Sequence, residues 1–152
     1  MNKIFQKLIK KCQGGYFIIP FMVLILLIGC TASTAKIEAK LGQEFSLCIG
    51  ATANITGENI SLKFLELIGD SRCPKNVTCV WRGEARCMLE ISKPNVTSSA
   101  SQLEITTFGL SGQPATVMYE AYKIAFRVEP YPEAGKSIAK SDYRLVMTVY
   151  HR

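Results

Sequence analysis

Four cysteines between residues 48 and 87 are the side chains whose type and spacing point most directly to chemistry. They are Cys48, Cys73, Cys79 and Cys87. Cysteine thiolates bind zinc, carry electrons in dithiol pairs, or form disulfides. A catalytic dithiol is typically Cys-x-x-Cys at a helix start, and a zinc site uses paired short spacings; the chain has neither. An even number of cysteines in a small exported domain therefore predicts structural disulfides and no metal site.

Spacing restricts how these cysteines pair. Cys79 and Cys87 are expected on one extended stretch, where eight residues separate them by roughly 26 Å, which is beyond disulfide reach. The favoured pairing is Cys73–Cys79 with Cys48–Cys87, and the alternative is Cys48–Cys79 with Cys73–Cys87. A Cys48–Cys87 bridge needs a twist or bulge near Cys48, because Cys48 is expected on the opposite face from Leu47.

Groups suited to catalysis are sparse. The only histidine, His151, is the penultimate residue and is poorly placed for a rigid triad. Asp70, Glu84 and Glu90 are candidates for the paired carboxylates of glycoside hydrolysis. Glu84 and Glu90 share the polar face of a predicted strand with arginines, however, which is typical of a solvated surface. No nucleophile elbow, zinc-protease or nucleotide-binding motif occurs, so we predict a protein without catalytic residues, cofactor or metal.

The N terminus has the organisation of a secretory signal. Residues 1–11 are basic, and Tyr16–Ile28 is an apolar run of 13 residues, shorter than the roughly 20 that span a bilayer. The run ends in Leu27-Ile28-Gly29-Cys30, which resembles the lipobox of lipoprotein signal peptides. The resemblance implies a thioether-linked diacylglyceryl group on Cys30 and cleavage after Gly29, and two or three acyl chains give stable anchoring.

Two alternatives to lipidation stay open: an uncleaved signal anchor, and an ordinary signal peptide cleaved after Ala32 or Ala35. All three place the remainder outside the cytoplasm. We expect residues 1–29 to be the signal peptide, 30–42 the lipid-anchored cysteine and a flexible tether, and 43–152 a disulfide-stabilised domain. The expected location is the outer face of a cell membrane, on the periplasmic or extracellular side.

The net charge of +6 and pI near 9.1 suggest a binder of nucleic acid or of anionic surfaces. The leader alone supplies four lysines and no acid: Lys3, Lys7, Lys10 and Lys11. From Cys30 onward, 14 Lys and Arg face 12 Asp and Glu, and the charges are interspersed. A nucleic-acid footprint needs a basic stripe, so we predict no nucleic-acid partner.

From residue 43 the chain has the pattern of strands separated by turn-rich segments. Apolar and polar residues alternate with a period of two, with a slip at Phe64-Leu65 that is typical of a β-bulge. The predicted strands are Gln43–Ile49, Asn59–Ile68, Trp81–Ile91, Ser101–Phe108, Tyr122–Glu129 and Asp142–Tyr150. Six strands and no helix predict an antiparallel β-sandwich, immunoglobulin-like, with a small barrel as the alternative.

The most distinctive segment, residues 70–85, reads DSRCPKNVTCVWRGEA. It resembles a segment, DSRCP…V.C.W.GEA, of small secreted or lipid-anchored bacterial and archaeal β-domain proteins of unassigned function. The resemblance covers this segment and the following strand, and it implies a shared fold element. Trp81 is expected to point inward and fill one end of the core. Arg72 and Trp81 are the candidate binding residues, although pairing of Arg72 with Asp70 or packing on Trp81 is the simpler role.

Together these features predict a membrane-anchored extracytoplasmic lipoprotein that is not an enzyme. Its partners are expected to be the membrane, through the lipid, and an envelope protein, peptide or glycan; a purely structural envelope role is the variant of this prediction. Two alternatives remain. One is a protease inhibitor that presents the Cys73–Cys79 loop, since short closed loops are rigid ligands, and the other is an accessory subunit of an envelope enzyme.

Overall fold

The computed structural model describes residues 35–94, 100–109 and 114–152. The expected signal peptide, residues 1–29, and the expected lipidation site, Cys30, lie outside the described residues. All described strands belong to one unit, which begins at Ala32. Within the described ranges, no helix has the length and apolarity needed to cross a membrane.

Within the described residues, nine strands form two sheets. They are β1 (Lys36–Ala39), β2 (Glu44–Cys48), β3 (Thr52–Ile55), β4 (Ser61–Asp70), β5 (Glu84–Ser92), β6 (Ser101–Phe108), β7 (Ala115–Tyr119), β8 (Tyr122–Glu129) and β9 (Arg144–His151). A single 3₁₀ turn, Lys140–Asp142, precedes β9. The five-stranded sheet has the order β1-β3-β4-β5-β6, and the four-stranded sheet has the order β2-β9-β8-β7. The predicted all-β sandwich is confirmed, and the two sheets are not closed into a barrel.

The strand order departs from a purely antiparallel arrangement at one edge. β1 pairs in parallel with β3, whereas the other strand pairs in the described part of the chain are antiparallel. β3 to β6 and β7 to β9 each form a run of consecutive neighbours. Immunoglobulin domains instead use Greek-key connections, so the likeness to them extends only to the two-sheet architecture.

The period-two pattern places the core as predicted. On β5, Ala85, Cys87, Leu89 and Ile91 are fully buried and alternate with more exposed residues. On β4 the pairing register shifts between Phe64 and Glu66, so the predicted bulge is confirmed. Among the largest fully buried side chains are Leu47, Leu62, Phe64, Leu89, Ile124, Leu145 and Met147.

Three short strands were not predicted. β1 lies within the segment expected to be a flexible tether, and its last residue, Ala39, is buried. β3 lies within the turn-rich segment 50–57, where Ala53 and Ile55 alternate into the core. β7 lies at the edge of its sheet and has no fully buried residue. β1 and β7 are edge strands, which bury little surface of their own, and β3 has only four residues, too few for a clear alternation.

Candidate functional site: the disulfide-closed loop

The loop joining β4 to β5, residues 71–83, carries the predicted disulfide and is called the β4–β5 loop below. Cys73 and Cys79 are bonded, with an S–S distance of 2.10 Å and a Cα–Cα distance of 6.0 Å. This pairing is confirmed, and it removes the alternative in which Cys73 pairs with Cys87. The bridge closes a ring of seven residues at the end of the sandwich.

The other expected bridge, Cys48–Cys87, is wrong. Cys87 is a buried free thiol on β5, opposite Leu67 on β4 and Ile105 on β6. Its enclosure raises the pKa of the thiol to about 12. Cys48 ends β2 in the other sheet, out of phase with the fully buried Leu47. It is disulfide-bonded, as expected, but not to Cys87.

Arg72 anchors the start of the loop rather than reaching outward. It is 5% exposed, and its guanidinium forms a bidentate pair with Asp70, Nε to Oδ1 at 2.8 Å and Nη2 to Oδ2 at 2.6 Å. It also donates to two carbonyl oxygens, that of Val128 near the end of β8 at 2.6 Å and that of Pro130 just after β8 at 3.0 Å. Its guanidinium carbon lies 4.9 Å from the Tyr131 ring centre. With these donors engaged, Arg72 is not placed to bind a ligand carboxylate.

The carboxylate of Asp70 accepts two hydrogen bonds in addition to those from the Arg72 guanidinium. Its Oδ1 accepts the backbone N–H of Arg72 at 3.1 Å, and its Oδ2 accepts the Tyr143 hydroxyl at 3.2 Å. Burial, and secondarily the negative Asp70, raise the pKa of Tyr143 to about 12. The cluster of Asp70, Arg72 and Tyr143 therefore ties the root of the loop to the opposite sheet.

Backbone contacts hold both arms of the loop. Ser71 N donates to Glu84 O at 2.7 Å, and Cys73 N donates to Arg82 O at 3.0 Å. Lys75 N donates to Pro132 O at 2.9 Å, in an isolated bridge with the segment after β8. The loop is therefore pinned at its two arms and at one flank.

Gly83 and Gly109 permit this close approach. Gly83 has φ of +64°, and a Cβ there would lie 1.8 Å from Ser71 O. A Cβ at Gly109 would lie 2.2 Å from Arg82 O. Because backbone atoms cannot swing aside, only glycine fits where these segments stack. The glycine in the GEA portion of the motif is thus required by geometry.

The expected inward position of Trp81 is wrong. β5 begins at Glu84, three residues later than predicted, because the left-handed Gly83 interrupts the extended chain. Trp81 is 83% exposed and Val80 is 96% exposed. We call these two residues the loop tip. Next to it, the Arg82 guanidinium lies 4.4 Å from the ring centre of the half-exposed Phe108.

The polar candidates for catalysis are not brought together. Glu84 forms an exposed pair with Arg86 at 3.6 Å, and Glu84 and Glu90 stand about 20 Å apart on one strand, too far for paired carboxylates. His151, at the end of β9, contacts Glu58 in the turn between β3 and β4 at 2.9 Å, at the end of the sandwich remote from the loop. No group of three or more potential metal ligands occurs in the part of the chain that the structure describes.

The fold and the site together define a disulfide-stabilised β-sandwich domain with one rigid loop and an exposed apolar tip. No protein-family model, curated protein or solved structure matches the chain. Of the two candidate binding residues, Arg72 belongs to the buried base and Trp81 to the accessible surface.

Proposed function

We propose that this protein is a lipid-anchored, extracytoplasmic domain that binds without catalysing a reaction, and that the β4–β5 loop is its contact surface. The observation that carries the proposal is the exposure of Trp81 on a loop whose base is buried and pinned. An exposed tryptophan adds little to the stability of the free domain. Its large apolar surface instead favours contact with something else.

The rigidity of the loop supports a binding role. Ordering side chains and loops on association costs roughly 0.5–1.5 kcal/mol for each immobilised side chain. The disulfide, the Asp70–Arg72 pair and the backbone bonds to Arg82 and Pro132 hold the loop before any partner arrives. Tryptophan is also enriched among the residues that dominate binding energy.

The lipid anchor in this proposal rests on the lipobox resemblance around Cys30. Mass spectrometry of the mature protein tests it. The expected N-terminal residue is Cys30 carrying a diacylglyceryl group, and the matched control is Cys30→Ser, which blocks lipidation and cleavage. An uncleaved or unmodified Cys30 in the wild-type protein would remove the anchor from the proposal.

The contact surface is tested by photocrosslinking in intact envelopes. A photoreactive amino acid replaces Trp81 in one variant and Tyr150 in another, because Tyr150 is 44% exposed and lies at the far end of β9. We expect crosslinked products at position 81 and none above background at position 150. Equal yields at both positions would contradict the loop as the contact surface.

A protease inhibitor remains a second candidate, favoured by one observation. Residues 75–82, which include Cys79 of the disulfide, form one continuous exposed segment. A loop that inserts into a protease cleft must be exposed in this way. Inhibition of a panel of proteases that disappears in Cys79→Ala would support this function. A panel in which no protease is inhibited would exclude it for the enzymes tested.

A further inference from the structure

We infer that the loop tip contacts the surface of the membrane that carries the lipid anchor, with Val80 and Trp81 inserted into the bilayer interface. This inference deepens the proposed function and rests on the lipid at Cys30. It identifies the partner of the loop as a lipid surface.

Strand directions show which end of the sandwich the anchor approaches. β1 is parallel to β3, and β3 is antiparallel to β4, with Thr52 opposite both Lys36 and Lys63. Followed from Lys36 toward the N terminus, the chain therefore heads in the direction in which β4 runs to Asp70. The β4–β5 loop lies at that end. The N-terminal end of β1 and the β4–β5 loop thus lie toward the same end of the sheet.

Chain length limits how far the membrane lies from that end. Ala35 O accepts the Thr52 N–H at 2.9 Å, which places Ala35 near the level of Lys63. Lys63 pairs with Glu90 of β5, and Asp70, the last residue of β4, pairs with Ala85. The end of β4 therefore lies five β5 residues beyond Lys63, or about 17 Å. Five residues from Ala35 to Cys30 span at most about 18 Å. A lipid on Cys30 therefore keeps the membrane within about 18 Å of Ala35, a distance at which the loop that projects from this end can reach the membrane surface.

The loop has the side chains that bilayer interfaces favour. Tryptophan concentrates at the level of the lipid headgroups, and Val80 adds an aliphatic side chain that is 96% exposed. Residues 74–83 contain two cations, Lys75 and Arg82, and no acid. Basic residues beside an apolar tip are attracted to anionic headgroups by about 1 kcal/mol each.

Trp81 makes the inference directly measurable, because it is the only tryptophan in the chain. The mature lipidated protein is reconstituted into vesicles of phosphatidylcholine with a minority of phosphatidylglycerol, and its flotation with the vesicles is checked. The phosphatidylcholine is then replaced by one brominated near the headgroup end of its acyl chains. We expect quenching of Trp81 emission, a blue shift relative to the protein in detergent, and loss of acrylamide quenching.

The matched control moves the tryptophan to the opposite end of the domain. In the double variant Trp81→Phe with Tyr150→Trp, the new tryptophan keeps its accessibility to acrylamide and is not quenched by brominated lipid. If the wild-type protein floats with the vesicles but its Trp81 stays accessible to acrylamide and is not quenched by brominated lipid, the inference is overturned and the anchor is left intact. Failure to float would overturn the anchor and the inference together. Protection of Trp81 in native envelopes but not in pure lipid vesicles would assign the tip to a protein partner and would also overturn the inference.

Discussion

Replacing Arg72 with alanine perturbs the base of the loop without touching its exposed tip. The substitution removes the bidentate partner of Asp70 and leaves the carbonyl oxygens of Val128 and Pro130 without their donor. Both members of the pair are almost entirely enclosed, with side-chain exposures of 3% for Arg72 and 5% for Asp70. The variant thus leaves an uncompensated carboxylate in the interior.

The magnitude follows from that burial. Breaking a buried ion pair by deleting one partner destabilises a protein by about 3–5 kcal/mol. The remaining donors to Asp70, the backbone N–H of residue 72 and the Tyr143 hydroxyl, compensate only in part. A domain of this length is stable by about 6–18 kcal/mol, so Arg72→Ala is expected to fold with much of its stability lost.

Urea unfolding followed by circular dichroism measures the effect. With a slope of about 2 kcal/mol per molar urea, a loss of about 4 kcal/mol lowers the midpoint by about 2 M. The matched control is Arg86→Ala, which removes an arginine from exposed pairs with Glu84 and Glu104. Exposed pairs contribute about 0–1 kcal/mol, so this control is expected to shift the midpoint little.

The result that refutes the reasoning is an Arg72→Ala loss below about 1 kcal/mol, no larger than that of an exposed pair. Such a value would mean that water reaches Asp70 when the guanidinium is absent. A double-mutant cycle with Asp70→Asn separates the two contributions. We expect the second substitution to recover part of the loss, because an amide needs less solvation than a stranded carboxylate.

Three further predictions concern the loop and the core beneath it. Replacing Cys73 and Cys79 together with serine opens a seven-residue ring, and loop-closure entropy predicts a loss of about 2 kcal/mol in the free energy of unfolding. Gly83→Ala combines a left-handed φ with a Cβ 1.8 Å from Ser71 O, and strain plus overpacking predict a loss of about 3 kcal/mol or more. Burial raises the pKa of Cys87 from its ordinary value near 9 to about 12. The unfolded state therefore loses this proton first, and stability is full below pH 9 and falls as the pH rises toward 12, by about 1.4 kcal/mol between pH 8 and pH 10.

Each of these predictions has its own control. The single variant Cys79→Ser should lose about as much stability as the double serine variant, because one serine already opens the ring, and an unchanged free energy of unfolding in both variants would show that the ring adds little. Gly57→Ala has φ of +84° with open space around it, so it isolates the cost of the dihedral, about 1–2 kcal/mol; a Gly83→Ala loss no larger than this would contradict the steric argument. Cys87→Ala should flatten the alkaline decline in stability, although Tyr143 retains part of it because its own pKa is raised to about 12. An unchanged slope would refute the assignment to Cys87.

The sequence predicted the fold wherever one face of a strand packs into the core. β6 and β8 coincide with their predicted bounds, and the slip at Phe64-Leu65 appears as a register shift. In these elements the alternation reflects burial itself, so it can be read without coordinates. The mixed edge could not be read this way, because the parallel pairing of β1 with β3 depends on a crossover rather than on any local pattern.

The site was harder to predict because its geometry depends on residues distant in sequence. The carbonyl oxygens that accept from Arg72 belong to Val128 and Pro130, more than fifty residues away. No local sequence pattern around Arg72 predicts these partners. The apolar alternation of β5, continued toward the N terminus, predicts that Trp81 belongs to the strand. The glycine at position 83 was the available signal against this, since a glycine inside a strand pattern often marks a break in regular pairing.

The buried base and the exposed tip are explained by the same requirement. A loop whose only role is to connect β4 to β5 needs neither a disulfide nor a desolvated ion pair, because a short turn joins antiparallel neighbours at lower cost. Here the connection is long, held on several sides, and ends in Val80 and Trp81 projecting into solvent. Arg72 therefore contributes to the stability of the domain, and Trp81 contributes to contact with a partner. Substitutions at Arg72 should alter stability and, through it, contact, whereas substitutions at Trp81 should alter contact while leaving urea unfolding unchanged within about 0.5 kcal/mol.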